Sequence, residues 1–232
     1  MSYWKGVFSL QIYITAMTLS EENYLKTIYH LSTAGVGVST NAIAARMETK
    51  ASSVTDMIRK LSGKQLVTYV KYKGVELTPK GRLAATMVVR KHRLWEVFLV
   101  DKLGFTWGEV HDVAEELEHI KSEKLINKLD EFLGYPKSDP HGDPIPDAQG
   151  NIHAVNKLLL SACAVGETGI CVGVKDSSSE FLSYLDKNGI ALGVTIKVLE
   201  KEVFDGSLTI LVGQKELKVS DKMAGNVYVK KT

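Results

Sequence analysis

The stretch Ser39–Leu61, STNAIAARMETKASSVTDMIRKL, decides the fold of the first third of the chain. Its opening serine followed by an apolar turn predicts a short helix. After the polar break at residues 48–50, a second helical stripe places Val54, Ile58 and Leu61 on one face. Two short helices joined by a tight turn are typical of a helix-turn-helix.

The second of these helices has the composition of a helix that reads DNA. Small polar side chains lie near its start and cations near its end, which suits a helix that enters the major groove with its N-terminus first. The residues predicted to face DNA are Ser52, Ser53, Thr55, Asp56, Arg59 and Lys60. The alternative is a three-helix structural domain whose basic face is merely solvated.

A hairpin is predicted after this helix, from strands over residues 66–70 and 75–78. Its tip carries Lys71 and Lys73, which would bind phosphates as the wing of a winged helix-turn-helix. An amphipathic helix predicted over Glu21–Ser32, with Ser20 as its N-cap, precedes the pair. Residues 1–16 fit a signal peptide poorly, so we expect them to be a non-native or disordered leader before a native start at Met17.

Charge is distributed unevenly along the chain. Residues 39–93 hold twelve Lys and Arg against three Asp and Glu, whereas residues 94–150 hold five against thirteen. A basic segment followed by an acidic one predicts a polyanion-binding surface joined to a cation-binding one. The chain has no apolar run long enough to span a membrane, and we expect no membrane partner. Cys163 and Cys171 read as reduced thiols of a cytoplasmic protein rather than as a disulfide.

Potential metal ligands are concentrated in and just before the acidic segment. On a helix, offsets of 0, 4, 7 and 8 put four of them on one face: His111, Glu115, Glu118 and His119. His92 and Glu96 form a second pair, four residues apart on a different predicted helix. Imidazoles and carboxylates without a thiolate suit a divalent first-row metal. The alternative is that these are solvated charges on helix surfaces.

The remaining chain predicts a helical middle and a β-rich end. Helices are expected from Pro79 to about Lys102, over Trp107–Ile120 and over Ser122–Leu133. The Pro- and Gly-rich segment 138–146 predicts a domain boundary, and its His141 is interpreted as part of a structural turn. Short β-prone runs separated by glycines follow, with one helix beginning at Ser179.

These motifs, in this order, resemble the iron- and manganese-dependent repressors typified by the diphtheria toxin repressor and the manganese transport regulator. The resemblance runs from about Met17 to Thr232. It rests on Glu22–Tyr29 (ENYLKTIY), Leu77–Gly81 (LTPKG), Arg90–Glu96 (RKHRLWE), Val110–Asp112 with Glu118–His119, and Gly142–Pro146 (GDPIP). It implies a winged helix-turn-helix, a helical dimerisation and metal-binding domain, and a C-terminal SH3-like (FeoA-type) small β-barrel.

The resemblance also implies two metal sites. The primary, activating site would use Asn23, Glu115, Glu118 and His119, and the ancillary site His92, Glu96, His111 and Glu180. Asn23 departs from the family, which has a thioether or a carboxylate there, and Lys26 departs from the acidic ligand of manganese-type members. Glu115 replaces the cysteine of iron-type members, and a hard oxygen ligand favours Mn²⁺ over Fe²⁺. Other divalent transition metals would still bind in vitro.

We therefore predict a homodimeric, metal-activated repressor that binds a double-stranded DNA operator, takes no small-molecule substrate and controls metal uptake genes. The expected domains are residues 17–79 for DNA binding, 80–150 for metal binding and dimerisation, and 151–232 for the barrel. Two recognition helices about one DNA turn apart require a dimer. The competing hypotheses are a DNA-binding regulator with a purely structural metal, and a metallohydrolase, for which no His-Glu-x-x-His motif or separate nucleophile is present.

Overall fold

The computed structural model describes residues 17–33, 36–70, 74–153, 157–176 and 178–232. The predicted leader 1–16 and the predicted wing cations Lys71 and Lys73 lie outside the described residues. The chain divides into two compact units. The first unit holds the described residues up to His92, with Leu117–Ile126 and Pro146–Asn151, and the second unit holds Arg93–Glu116, Asn127–Ile145 and Ile152–Thr232.

The first unit contains three helices and a hairpin. Their bounds are α1 Leu19–Leu31, α2 Thr40–Arg46, α3 Ala51–Gly63, β1 Val67–Val70 and β2 Gly74–Leu77. The two strands pair antiparallel, with Val67 opposite Leu77, and Val38 forms a bridge to Val75 that joins the hairpin to the chain before α2. This is the predicted winged helix-turn-helix topology.

The core of the first unit forms where the apolar stripes of α1 and α3 meet. Leu25 and Ile28 of α1 pack with Val54 and Leu61 of α3, and all four are fully buried. Burying four such side chains stabilises the unit by about 1.5–3 kcal/mol each. The polar residues of α3 are consequently left on the opposite, solvent-facing side, as its helical periodicity predicts.

The middle of the chain is helical. Its helices are α4 Pro79–Leu103, α5 Val110–Leu117 and α6 Glu123–Phe132. In α4 the run Arg90–Arg93 places four consecutive basic residues in buried positions. Buried cations require acidic partners, so this run already indicates that carboxylates lie against α4.

The second unit contains a six-stranded antiparallel sheet with strand order β3-β8-β4-β5-β6-β7. The strands are β3 Leu158–Leu159, β4 Thr168–Val174, β5 Thr195–Lys201, β6 Leu208–Val212, β7 Lys215–Val219 and β8 Val227–Lys231. Two helices accompany them, α7 Ser179–Lys187 and α8 Asp221–Ala224. Cys163 and Cys171 are free thiols in the core of this sheet, and burial raises the pKa of both.

Some predicted boundaries differ from the structure. The N-cap of α1 is Thr18 rather than Ser20, because Thr18 and Glu21 form a capping box in which each side chain bonds the backbone N–H of the other residue. Helix α5 begins at Val110, since Thr106 and Glu109 bond each other in the preceding turn. Among the described residues, no helix is long and apolar enough to cross a membrane.

Candidate metal centre and nucleic-acid interface

Glu118 is the buried centre of the first group of potential ligands. Its side chain is fully buried just after α5. Its Oε2 lies 2.7 Å from Nδ1 of His92, and its Oε1 lies 2.7 Å from Nζ of Lys26. Although burial raises the pKa of Glu118, the hydrogen bond from His92 and the charge of Lys26 together hold that pKa below its ordinary value. Glu118 is therefore a carboxylate.

A second carboxylate and a second imidazole complete this group. Glu22, buried in the first turn of α1, places Oε2 at 2.6 Å from Nδ1 of His119. Nε2 of His119 lies 3.8 Å from Oε1 of Glu118. Lys91 Nζ lies 3.8 Å from Oε1 of Glu22. Burial lowers the pKa of Lys91, although the negative charges of Glu22 and Glu118 act to raise it. We call Glu22, His92, Glu118 and His119 the first cluster, and we include Asn23 because it follows Glu22 in α1.

Asn23 provides the observation that tests whether this cluster suits a metal ion. Its Oδ1 is buried and has no hydrogen-bond partner in the part of the chain that the structure describes. A buried carbonyl oxygen without a partner costs about 1–3 kcal/mol, which a ligand can recover. Two carboxylates, two imidazoles and an amide oxygen form the oxygen- and nitrogen-rich donor set that divalent first-row metals accept. The donor types present suit such an ion.

The second group of potential ligands lies in the second unit around Glu96 of α4. Glu96 is buried, and its Oε1 lies 3.5 Å from Nδ1 of His111, which α5 supplies. Nε2 of His111 lies 3.6 Å from Oε1 of Glu115, one turn further along α5. His92 precedes Glu96 by one turn of α4. We call Glu96, His111 and Glu115 the second cluster.

His141, interpreted from the sequence as part of a structural turn, also contacts Glu96. It is buried, its Nδ1 lies 3.6 Å from Oε1 of Glu96, and its Nε2 lies 3.4 Å from the carbonyl oxygen of Trp107. Burial opposes its protonation, but the hydrogen bond and charge of Glu96 raise the pKa of His141 above its ordinary value. Gly142 fixes the turn, because its φ is +81° and an added Cβ would lie 1.6 Å from the carbonyl oxygen of Val172.

Asp139 lies in the same turn, and its ligand atom falls within 4.8 Å of those of Glu96 and His141. Both of its oxygens already have partners. Oδ1 accepts the backbone N–H groups of His141 and Asp143, and Oδ2 lies 3.2 Å from Nε of Arg93. Burial, together with the charge of Glu96, raises the pKa of Asp139 to about 6. Asp139 therefore organises the turn.

Two of the predicted ligands contact a member of the other predicted set. His92, expected with the ancillary residues, bonds Glu118 of the expected primary set. Glu115, expected in the primary set, lies beside His111 and is about half exposed. Glu180 is exposed in the first turn of α7.

The sequence analysis missed Glu22, Lys91 and His141 as neighbours of the ligands. One signal was available, the basic run Arg90–Arg93 between two apolar stretches of the predicted helix. Such a run indicates buried acidic partners, and the structure supplies Glu22 for Lys91 and Glu118 for His92.

The predicted DNA-facing residues of α3 are exposed: Ser52, Ser53, Thr55, Asp56, Arg59 and Lys60. Four of them, Thr55, Asp56, Arg59 and Lys60, have polar partners within the protein. Asp56 Oδ1 lies 3.1 Å from Nη1 of Arg59, and Lys60 Nζ lies 3.2 Å from Oε1 of Glu21. Thr55 Oγ1 donates to the carbonyl oxygen of Ala51. Within the part of the chain that the structure describes, Ser52 and Ser53 are the predicted DNA-facing residues without such a bond.

Comparison with protein families finds three matches that follow one another along the chain. Residues 16–75 match the N-terminal DNA-binding domain of the iron-dependent repressors, and residues 78–147 match the metal-binding and dimerisation domain of the same proteins. Residues 158–231 match the FeoA domain, in agreement with the predicted C-terminal small barrel. The predicted fold class is confirmed.

Individual relatives match over nearly the whole chain. The chain is 31% identical to the iron-dependent repressor IdeR of Mycobacterium leprae over 223 residues, which is 90% of this chain and 96% of the relative. It is 28% identical to the diphtheria toxin repressor of Corynebacterium diphtheriae over 219 residues, 90% of this chain and 95% of the relative. A solved manganese-dependent transcriptional repressor in complex with manganese has a TM-score of 0.79 and 37% identity, and the match covers 91% of this chain and 99% of that one.

Proposed function

Because this chain belongs to the iron- and manganese-dependent repressor family, we propose that it is a transcriptional repressor whose binding to operator DNA depends on a divalent metal ion. The observation that supports this most strongly is the first cluster, in which a helix of the DNA-binding unit faces potential ligands distant in sequence. Glu22 of α1 contacts His119 at 2.6 Å across 97 positions of the chain. We further propose that the regulated genes serve metal uptake and that the protein acts in the cytoplasm.

The proposed metal ligands are those of the first cluster, with Glu115 as a further candidate. Glu22 and His92 would supplement the predicted residues Asn23, Glu118 and His119. A bound divalent ion would supply positive charge that holds these oxygen and nitrogen donors at one point. Glu22 links the first turn of α1 to His119, whereas Lys26 links the next turn to Glu118 when no ion is bound. An ion that prefers this arrangement shifts the population toward it.

The second cluster would hold an ancillary ion, with His111 and Glu96 as its main ligands. His92 and Glu180 remain predicted contributors. We propose that His141 orients Glu96 rather than replacing His111, because Asp139, its neighbour in the turn, is engaged with Arg93 and two backbone N–H groups. A His111→Ala variant that loses the ancillary ion while His141→Ala keeps it would support this assignment, and the reverse order would contradict it.

We propose Mn²⁺ as the preferred ion, with Fe²⁺ as the alternative. Carboxylate and amide oxygens with imidazoles suit Mn²⁺, and the cluster offers no thiolate that would favour later metals. The manganese complex of the similar repressor supports this choice, whereas the iron-dependent relatives support Fe²⁺.

We also propose that the protein acts as a homodimer. In the second unit, large apolar side chains near the ends of α4 and α6 remain exposed, namely Leu103, Phe132 and Tyr135. The Phe132 ring is 64% exposed, although it contacts Phe98 with ring centroids 6.3 Å apart. Large apolar side chains that remain exposed are expected where another subunit covers them, and the match to a dimerisation domain covers these residues.

The experiment that tests this function is a DNA-binding titration of His119→Ala. Removing the imidazole should abolish the stimulation of operator binding by Mn²⁺ while the dimer stays folded. The matched control is His30→Ala, which removes an exposed histidine of α1 outside the cluster. If His119→Ala binds the operator as the parent does, both with and without Mn²⁺, the proposal that a metal ion at this cluster controls DNA binding is wrong.

A further inference from the structure

Glu21 is a buried carboxylate that the proposed metal cluster does not use. It lies in the first turn of α1, immediately before Glu22, and is fully buried. Its Oε1 lies 2.7 Å from Nζ of Lys64 and 3.2 Å from Nζ of Lys60. Lys64 also donates to Oε2 at 2.9 Å. Charge-assisted contacts to a fully buried carboxylate are stronger and more specific in geometry than ordinary surface pairs.

Lys60 and Lys64 belong to the end of the predicted recognition helix. Lys60 lies in the last turn of α3, and Lys64 is its C-cap residue. Cations at the C-terminus of α3 and a carboxylate in the first turn of α1 each complement the dipole of their own helix. The contact of Glu21 with Lys60 and Lys64 therefore links the start of α1 to the end of α3, and each helix dipole stabilises the charge at its own end.

Two consecutive residues of α1 thus have ionic contacts in different directions. Glu22 faces His119 and the first cluster, whereas Glu21 faces the end of α3. Consecutive side chains on a helix point about 100° apart, so a movement of the first turn of α1 alters both contacts at once. On the basis of the proposed function, we propose that Glu21 is a positioning residue that couples metal binding at α1 to the placement of the recognition helix through Lys60 and Lys64.

The test measures coupling in the full-length protein for the parent, Glu21→Gln and Lys64→Gln. The DNA probe is a duplex that the parent selects from a randomised library in the presence of Mn²⁺. Coupling is reciprocal, so the factor by which Mn²⁺ tightens DNA binding equals the factor by which DNA tightens Mn²⁺ binding. Such factors are typically about 5–150-fold, and we expect both variants to reduce the parent's factor by at least about fivefold in both directions.

Controls separate coupling from loss of charge. Lys128 and Glu131 form an exposed pair on α6 with Nζ and Oε2 2.8 Å apart. Lys128→Gln and Glu131→Gln make the same charge changes there and should keep the parent's factor. Lys64→Arg retains the cation and should keep most of the coupling. Thermal unfolding shows which variants are folded. If Glu21→Gln is not folded, the coupling factor of Lys64→Gln alone tests the proposal.

If the contact of Glu21 with Lys60 and Lys64 is purely structural, the variants should be less stable, or should bind DNA more weakly both with and without Mn²⁺. In either case the coupling factor should stay unchanged. If the lysine only contacts DNA phosphates, the coupling factor should also stay unchanged, and the DNA affinity of the variant should depend less on salt. Either result in the folded variants overturns the proposal, while the proposed function stands. A parent protein that selects no duplex, or binds it equally in chelator, contradicts the proposed function and the coupling together.

Discussion

Lys26 places an ammonium group among the proposed ligands of the first cluster. Its Nζ lies 2.7 Å from Oε1 of Glu118, and its side chain is 13% exposed. An ion that binds Glu118 must compete with this cation, since like charges about 4 Å apart in a partly buried site repel by roughly 4 kcal/mol. We therefore expect the lysine to stabilise the metal-free cluster and to limit metal affinity.

Replacing Lys26 by Met should therefore tighten metal binding and weaken the metal-free fold. We expect Mn²⁺ affinity to rise at least about tenfold, which corresponds to about 1.4 kcal/mol. Isothermal titration measures the affinity, and urea unfolding in chelator measures the loss of stability. Lys128→Met, in an exposed pair, is the control and should change neither. Unchanged or weaker Mn²⁺ binding in Lys26→Met would mean that the lysine does not compete with the ion.

Glu115 is the residue through which metal preference can be altered. Replacing it by Cys supplies a thiolate, which should shift the order of metal affinities from Mn²⁺ toward Fe²⁺, Co²⁺ or Zn²⁺. Glu116→Cys, at the next and equally exposed position of α5, is the matched control. Competition titrations with each metal give the ranking. If Glu115→Cys ranks the metals as the parent does, Glu115 is not a ligand.

Residue types in the sequence identified the kind of ligand but not every individual ligand. Glu21, Glu22 and Asn23 are consecutive, and the apolar stripe of α1 does not reveal which of them faces the turn after α5. The family resemblance favoured Asn23, and the structure brings Glu22 to His119 as well. Such a choice depends on a contact across 97 positions, which local periodicity cannot encode.

Among the elements, α3 carries the prediction about DNA reading. Ser53→Ala should change the ranking of operators by about 1–3 kcal/mol for each disturbed base contact. We choose Ser53 as the residue to substitute because the Thr55 hydroxyl already donates to the carbonyl oxygen of Ala51 and Asp56 already pairs with Arg59. Quantitative binding to a panel of single-base operator variants measures the ranking.

The predicted wing provides the contrast. Lys71→Ala should weaken binding to all operators alike and flatten its salt dependence, because phosphate contacts carry no sequence information. A uniform loss of affinity across the operator panel in both the Ser53 and the Lys71 variants would show that α3 is not the helix in the groove.

The start of α4 carries a prediction about stability. A Cβ added at Gly81 would lie 1.8 Å from the carbonyl oxygen of Leu66, so α4 can approach the chain before β1 only without a side chain there. Gly81→Ala should lower the free energy of unfolding by about 1–3 kcal/mol or more. Gly63→Ala, with no atom within 4 Å of the added Cβ, is the control and should be neutral or stabilising by up to about 1 kcal/mol. Equal unfolding midpoints in urea for both variants would contradict this packing.

The elements themselves were largely predictable from the sequence. The helical stripes predicted α3 and α4 to within about two residues of their observed bounds. The N-cap of α1 was misassigned, because Ser20 and Thr18 are both good caps and only the reciprocal bonds with Glu21 distinguish them. The contact between His141 and Glu96 was not predictable, since it depends on how the turn packs in the second unit.

At the scale of the whole molecule, the motifs of the sequence predicted three successive domains: a DNA-binding domain, a metal-binding domain and a small barrel. The three family matches follow the same order. The charge reversal between residues 39–93 and 94–150 reflects this division, because the basic part would face DNA and the acidic part would hold cations. We propose the domain limits 17–79, 80–150 and 151–232 on this basis.

The exposed apolar surface at Leu103, Phe132 and Tyr135 leads to a prediction about assembly. Phe132→Asp should place a charge in the proposed dimer interface, and sedimentation equilibrium should then show a monomer. Operator affinity should fall sharply, because one recognition helix cannot span two half-sites. The control is Tyr184→Asp, at a partly exposed aromatic residue of α7. A Phe132→Asp protein that remains dimeric would place the interface elsewhere.

The central claim is that a divalent ion controls operator binding, and an operator titration of the unmodified protein tests it most directly. The protein is titrated onto the selected duplex in chelator, and then with Mn²⁺, Fe²⁺ or Zn²⁺ added singly. Our account predicts weak, salt-sensitive binding in chelator and binding at least about fivefold tighter with Mn²⁺. Equal affinity in chelator and in every metal would contradict it and would leave a DNA-binding protein whose metal, if it binds one, is structural.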